Sequence, residues 1–189
     1  MEEFSKIIAN NKGVLRKNDV KFFTMIGKGA DGSVYQVAPN RCVKVFEKIK
    51  TKELEWEAFQ AGQLSPVIPK TYKHGKNYIV MEYVKGRSLP QYLKKEKALP
   101  ETIVKKILQM LDELKKIGFK RLDIEVRHIL FNENMDIKVI DLKRSFTSDR
   151  PTPNKLLAGL KKRGYLKEFM KHVKKLNPSL YKKWKSIKL

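Results

Sequence analysis

Residues 27–34 read GKGADGSV, and the residues immediately after this glycine run decide the fold. The spacing GxGxxGxV occurs in two unrelated nucleotide-binding arrangements. In a doubly wound sheet the third glycine opens a helix. Here it runs into SVYQVAPN (33–40), an alternating strand closed by a Pro39-Asn40 turn, and then into RCVKVF (41–46), another strand. Strand, glycine turn and strand make a flap whose backbone N–H groups can lie over phosphates. A glycine-rich hairpin with no ligand has the same local pattern, so the rest of the chain must choose between them.

On the N-terminal side, KFFTMIG (21–27) supplies the strand before the turn. FSKIIA (4–9) puts Phe4, Ile7 and Ile8 on one helical face, ended by residues 10–13. After RCVKVF the charged stretch from Thr51 to about Leu64 reads as a helix closing near Pro66 and Pro69. KTYKH (70–74) and NYIVMEYV (77–84) read as two more strands across Gly75. The expectation for residues 1–85 is a five-stranded antiparallel sheet with one helix inserted after the third strand.

Residues 86–189 read as mainly helical. Ser88 can cap LPQYLKK, and Pro100 suits the start of a long helix to Ile117. In it Ile103, Ile107, Met110, Leu111 and Leu114 recur as a core stripe, and Gly118 stops it. A short hairpin, HILF then DIKVID, turns about Glu133-Asn134, and helices come after Pro151 and Pro153. The fold class is therefore α+β: a single domain, 1–189, of a sheet lobe and a reduced helical lobe around a cleft.

The bulk properties agree with a folded chain of 189 residues, 41% of them hydrophobic. A single cysteine, Cys42, excludes an internal disulfide framework and a cysteine zinc site, and its apolar neighbours suggest a small buried thiol. MEEFSK is acidic without an apolar core, and no stretch nears the roughly 18 apolar residues of a membrane span. A cytoplasmic protein is expected. The net charge of +22 favours polyanions such as nucleic acid. Half of it lies in residues 151–189, which hold twelve basic residues and one acid, Glu168.

Lys44 stands between Val43 and Val45, so its side chain projects away from theirs, toward the face beneath the glycine turn. There an ammonium can meet phosphate oxygens if a carboxylate holds it. Glu53, Glu55 and Glu57 on the next helix are the candidates. Glu57 is favoured, because it precedes the small apolar AFQA segment, while Glu55 is expected to point elsewhere. Folding the hairpin brings His128, at the start of one strand, close to Asp141 at the end of the other, with Asp123 in the loop before. Two carboxylates and an imidazole at an open hairpin end could gather divalent cations and phosphates.

In order, GKGADGSV, VKV, a helical glutamate, VMEYV, RLDIEVRHIL and VIDLK resemble the protein-kinase superfamily over residues ~20–145. The shortness of the chain after Asp141 makes it most similar to the smallest members: RIO kinases, the kinase subunit of the tRNA-threonylcarbamoylation (KEOPS) complex and small bacterial Ser/Thr kinases. The resemblance implies ATP with magnesium or manganese as cofactors and a protein hydroxyl as acceptor. It implies that Gly27, Gly29, Gly32 and Val34 belong to the nucleotide-binding set, and that Lys44 contacts phosphates and pairs with Glu57. Met81 would back the adenine pocket, and the backbone of Glu82 and Val84 would bond the base. Asp123 would orient the acceptor and take its proton, and Asp141 would bind metal, with His128 at the family's second, amide ligand position. Leu122 stands where many kinases carry arginine, Glu125 where Ser/Thr kinases carry lysine, and Leu142-Lys143 where Phe-Gly is usual. Such departures leave two other functions open: an ATP-binding pseudokinase or weak ATPase acting through a partner, and a small-molecule kinase.

Overall fold

The computed structural model describes residues 2–189; Met1, at the head of the acidic stretch, lies outside it. After helix α1 (Glu2–Asn10), strands β1 (Thr24–Gly29), β2 (Gly32–Ala38) and β3 (Arg41–Phe46) form a meander. Helix α2 (Ile49–Ala61) interrupts it before β4 (Thr71–His74) and β5 (Tyr78–Glu82). The sheet is antiparallel in the order β1-β2-β3-β5-β4, which is the expected five strands and one helix.

Strand alternation divides the core in two. On β3, Val43 faces outward with Val37, Tyr78 and Val80, and this side is covered by Phe4 and Ile8 of α1 and by Leu15. Cys42 and Phe46 face inward with Ile79 and Met81, continuous with Ala58 and Phe59 of α2 and with the core of the helical lobe. Burial pushes the Cys42 thiol up to about 12, so it is an inert packing group.

The second half opens with β6 (Arg87–Ser88) and α3 (Leu89–Glu96), whose start is fixed by Gln91 accepting from the Ser88 N–H at 2.8 Å. Helix α4 (Glu101–Lys116) buries Ile103, Val104, Ile107, Leu108, Met110, Leu111 and Leu114, and Gly118 ends it at φ +89°. Strands β7 (Ile129–Phe131) and β8 (Ile137–Val139) form the expected hairpin. The Asn132 side chain sets its turn by accepting from the N–H groups of Asn134 and Asp136. Arg87 and Ser88 add a third strand that no alternation could reveal, since two residues carry no period. Helices α5 (Asn154–Lys162), α6 (Leu166–Leu176) and α7 (Pro178–Trp184) complete the chain. Phe169 and Val173 of α6 are buried, while Lys161, Lys162, Lys167, Lys171, Lys174 and Lys175 are exposed. Among the described residues no helix is long and apolar enough to cross a membrane.

Several contacts tie the halves together away from the cleft, among them Lys138 Nζ donating to Ile68 O at 3.2 Å. The Val139 N–H donates to Val67 O at 2.8 Å, and Ser65 Oγ bonds Glu113 at 3.0 Å.

Candidate active site

The roof is the β1–β2 hairpin. Gly29 pairs with Gly32 across the tight turn at Ala30-Asp31, and Gly27 pairs with Val34. The glycines differ in why they are glycine. Gly32 has φ +148°, and a Cβ there would stand 1.9 Å from Val45 O, so β3 beneath it demands glycine. At Gly29 a Cβ would meet nothing within 4 Å. Open space there is room for a ligand to approach the backbone.

Lys44 lies in register with Val34 on β2 and Ile79 on β5, and its ammonium is 2.7 Å from both carboxylate oxygens of Glu55. The expected pairing with Glu57 is therefore wrong. The inner stripe of α2 is Lys52, Glu55, Ala58 and Phe59. Glu55 sits three and four residues before the two packing residues, on their face, whereas Glu57 is exposed. Burial raises the Glu55 carboxyl above its usual range, and Lys44 pulls it partly back. Glu53 bonds Lys52 at 3.2 Å instead.

At the back, Met81 is buried on β5 opposite Cys42. The hinge backbone is partly committed: Glu82 N–H donates to Lys70 O at 2.7 Å, and Tyr83 N–H to Asn40 O at 3.0 Å. The Glu82 carbonyl accepts from the weak Cys42 thiol at 3.6 Å, and Val84 makes no backbone hydrogen bond among the described residues. The Glu82 side chain turns outward to Lys138, 3.2 Å away, into a separate cavity of about 1220 Å³ behind the hinge. That cavity contains none of Gly29, Lys44, Asp123 or Asp141, and many of its charges pair with one another, as Lys138 does with Glu82 and Lys116 with Glu113.

On the floor, Asp123, His128 and Asp141 line one small recess with Arg121, Glu125 and Ser145. His128 Nδ1 is 3.5 Å from Asp141 Oδ2. Burial lowers the imidazole's pKa although Asp141 and Glu125 oppose it, so the ring is neutral near pH 7. Asp141 has φ +64°, an unfavourable conformation for a non-glycine residue, and its buried Oδ1 has no hydrogen-bond partner. Asp123 is 2% exposed and accepts the Lys155 N–H at 2.5 Å, with Arg150 3.5 Å away. Roof and floor sense each other: Asp141 raises the Glu55 carboxyl, and Lys44 lowers the His128 imidazole.

The floor fits a divalent cation completed by phosphate. Among the described residues no group of three or more His, Cys, Asp or Glu could hold a metal unaided. Magnesium commonly takes one or two carboxylates and fills its remaining positions with phosphate oxygens and water. Asp141 Oδ1, which has no hydrogen bond among the described residues and the Lys143 ammonium 3.6 Å away, suits that role.

A model of the RIO domain matches residues 34–160. The chain belongs to the RIO-domain family. A Bacillus subtilis (strain 168) protein named "Putative serine/threonine-protein kinase YrzF" is 29% identical over 126 residues, covering 64% of this chain and 59% of that protein. The chain thus spans about three fifths of that relative's length. Within the RIO-domain match lie Val34, Lys44, Glu55, Met81, Asp123, His128 and Asp141, while the three glycines precede it.

Reasoning from sequence missed Glu55, Lys155 and Arg150. For Glu55 the signal was present in the spacing from Ala58 and Phe59. For the other two it was not, because their approach to Asp123 depends on how residues 144–155 fold back over the loop. The buried Leu122 and Leu142 explain two departures: both are core residues.

Proposed function

We propose that this RIO-domain chain is an ATP-dependent protein kinase that moves the γ-phosphate of ATP to a Ser or Thr hydroxyl. Residues 1–85 and 86–189 would act as the two lobes of one catalytic unit. The observation that supports it best is the facing of the Lys44–Glu55 ion pair on the roof and the His128–Asp141 contact on the floor, with Asp123 in the same recess as the second.

Each role rests on a position in the cleft. Glu55 orients the Lys44 ammonium toward phosphate oxygens and keeps it charged. Gly29 lets backbone come close to the phosphates. The Glu82 carbonyl and the Val84 backbone remain to bond the adenine edge. Asp141, assisted by His128, would hold the metal, which when bound would neutralise charge on the transferring phosphoryl group. Manganese would tolerate the imidazole better than magnesium does. The acceptor oxygen bonds to the γ-phosphorus as the bond to the β–γ bridging oxygen breaks. Asp123 takes the hydroxyl proton and ADP leaves.

One observation favours a second reading, a nucleotide-binding module or weak ATPase that works through a partner. Asp123 is covered by Lys155 and Arg150, so a protein hydroxyl reaches it only if that segment yields. The exposed lysines of α6 would offer such a partner, or nucleic acid, a positively charged face.

The test is incubation with γ-labelled ATP, magnesium or manganese, and a generic protein acceptor. Label in protein is expected. Free phosphate alone would favour the second reading, and no nucleotide binding would defeat both.

A further inference from the structure

Two lysines outside the usual nucleotide-binding set stand at the mouth of the cleft. Lys143, two residues beyond Asp141, bonds Asp31 at the tip of the β1–β2 turn and lies 3.6 Å from Asp141 Oδ1. Its side chain is only 19% exposed. Its ammonium thus bridges floor and roof, lying between the carboxylates of Asp141 and Asp31. Lys155, in the first turn of α5, places its ammonium 2.7 Å from Glu125 Oε1 while its N–H donates to Asp123.

Helix α5 comes this close because Gly159 lacks a side chain. A Cβ there would stand 2.7 Å from Val126 Cγ1 in the 3-10 turn Val126–His128. Glu125 occupies the loop position two residues after Asp123 where a lysine would be usual. The reversed charge does not leave the place anionic, because it recruits an ammonium from a different part of the chain. Lys155 also holds the Glu125 carboxyl below its usual range, first through the hydrogen bond and then through its charge.

Asp31 and Asp141 hold the Lys143 ammonium and Glu125 holds that of Lys155, so carboxylates keep both charges beside the recess that Glu125 and Asp141 line, where an anion can take their place. Both also stand beside the residues assigned to metal and acceptor, Asp141 and Asp123. At the same place His128 replaces an amide ligand, which weakens a second site for a hard divalent cation.

We infer that Lys143 and Lys155 grip the terminal phosphate of a nucleoside triphosphate, supplying with two ammonium groups the charge that a second divalent cation would bring. The inference rests on the nucleotide reading above. On binding, Lys143 exchanges Asp31 for a phosphate oxygen, and Lys155 reaches the same group while still leaning on Glu125. No covalent step is added.

The experiment is calorimetric titration of the full chain with ATP and with ADP, each in magnesium and in EDTA. The unaltered chain should prefer ATP even in EDTA. Lys143→Met and Lys155→Met should each weaken ATP binding by about tenfold or more and leave ADP binding within about twofold, the loss of one charge-assisted contact to the third phosphate. Lys143→Arg and Lys155→Arg should keep the preference for ATP. Retained ADP binding shows that a variant is folded. Equal loss for ATP and ADP, or no loss for either, overturns the inference. Failure of the unaltered chain to bind either nucleotide instead refutes the nucleotide reading, and the inference with it.

Discussion

Replacing Glu55 by alanine separates the observed roof of the cleft from the one that a simple reading of α2 suggests. The Glu55 side chain is 1% exposed and that of Lys44 13%. Removing one partner of a buried ion pair costs about 3–5 kcal/mol, because the other charge is left unpaired. The slight exposure of Lys44 lets its ammonium recover some water, which points to about 3 kcal/mol, the low end of that range. With a urea slope of about 2 kcal/mol per molar, the unfolding midpoint should fall by about 1.5 M. Glu57 is exposed, and Glu57→Ala should stay within about 0.5 kcal/mol of the unaltered chain. Lys44→Met adds a pH signature. Burial already raises the folded-state pKa of Glu55, and Lys44 is the main influence lowering it. Without Lys44 the carboxyl rises further. A group whose folded pKa lies above its unfolded value contributes most below the unfolded pKa, near 4.5, and loses that contribution as pH rises through the folded one. Lys44→Met should therefore approach the unaltered chain in stability near pH 5 and fall behind it toward pH 8. Equal losses in Glu55→Ala and Glu57→Ala, or a Lys44→Met deficit that ignores pH, would refute the pairing.

Gly32→Ala should cost more than about 3 kcal/mol, through the clash with Val45 O and the positive φ, whereas Gly29→Ala should melt within a few degrees of the unaltered chain but bind ATP more weakly. Thermal melts and ATP titrations of both check this. His74 stacks on Trp56 at 4.0 Å, and Nδ1 accepts from the Lys52 ammonium at 2.8 Å, which only a neutral imidazole can do. Burial and Lys52 lower its pKa, so its contribution is complete above about pH 6.5 and is lost as pH falls; His74→Gln should make melting less sensitive to acid over that range. If the α6 face binds nucleic acid, log affinity should fall against log salt by about 0.9 per phosphate neutralised. Reversing Lys167, Lys171 and Lys174 should flatten that slope and spare ATP binding; Lys175 is a poorer choice because Glu101 holds it at 2.8 Å.

The parts of the fold that were legible in the sequence were those with a period. Alternation along RCVKVF placed Lys44 on the face opposite Val43 and Val45, and the stripe of α4 named its buried residues. Punctuation worked where chemistry forces it, as at Gly118 and in the 132–136 turn. The face of α2 was misjudged because the nearest glutamate to AFQA was chosen instead of the one three and four residues before its packing residues. Long-range closures left no local trace. Lys143 reaching Asp31 across 112 residues, and the 144–155 segment folding over Asp123, depend on how the two halves meet. The histidines illustrate the same limit. His74 finds Trp56 and Lys52, and His172 lies 3.5 Å from Glu101, although neither has a partner visible in sequence.

Magnesium-dependent ATP binding by the unaltered chain, Asp141→Asn and Asp123→Asn, measured beside phosphoryl transfer, separates the two roles on which the catalytic reading stands. Both substitutions should abolish transfer. Asp141→Asn should also lose most of the gain in ATP affinity that magnesium gives, since it removes the carboxylate assigned to the metal, whose Oδ1 makes no hydrogen bond among the described residues. Asp123→Asn should bind Mg-ATP nearly as the unaltered chain does, because its task is at the acceptor hydroxyl. Equal loss of affinity in both, or magnesium-dependent binding undisturbed in Asp141→Asn, would contradict the roles assigned to the two aspartates.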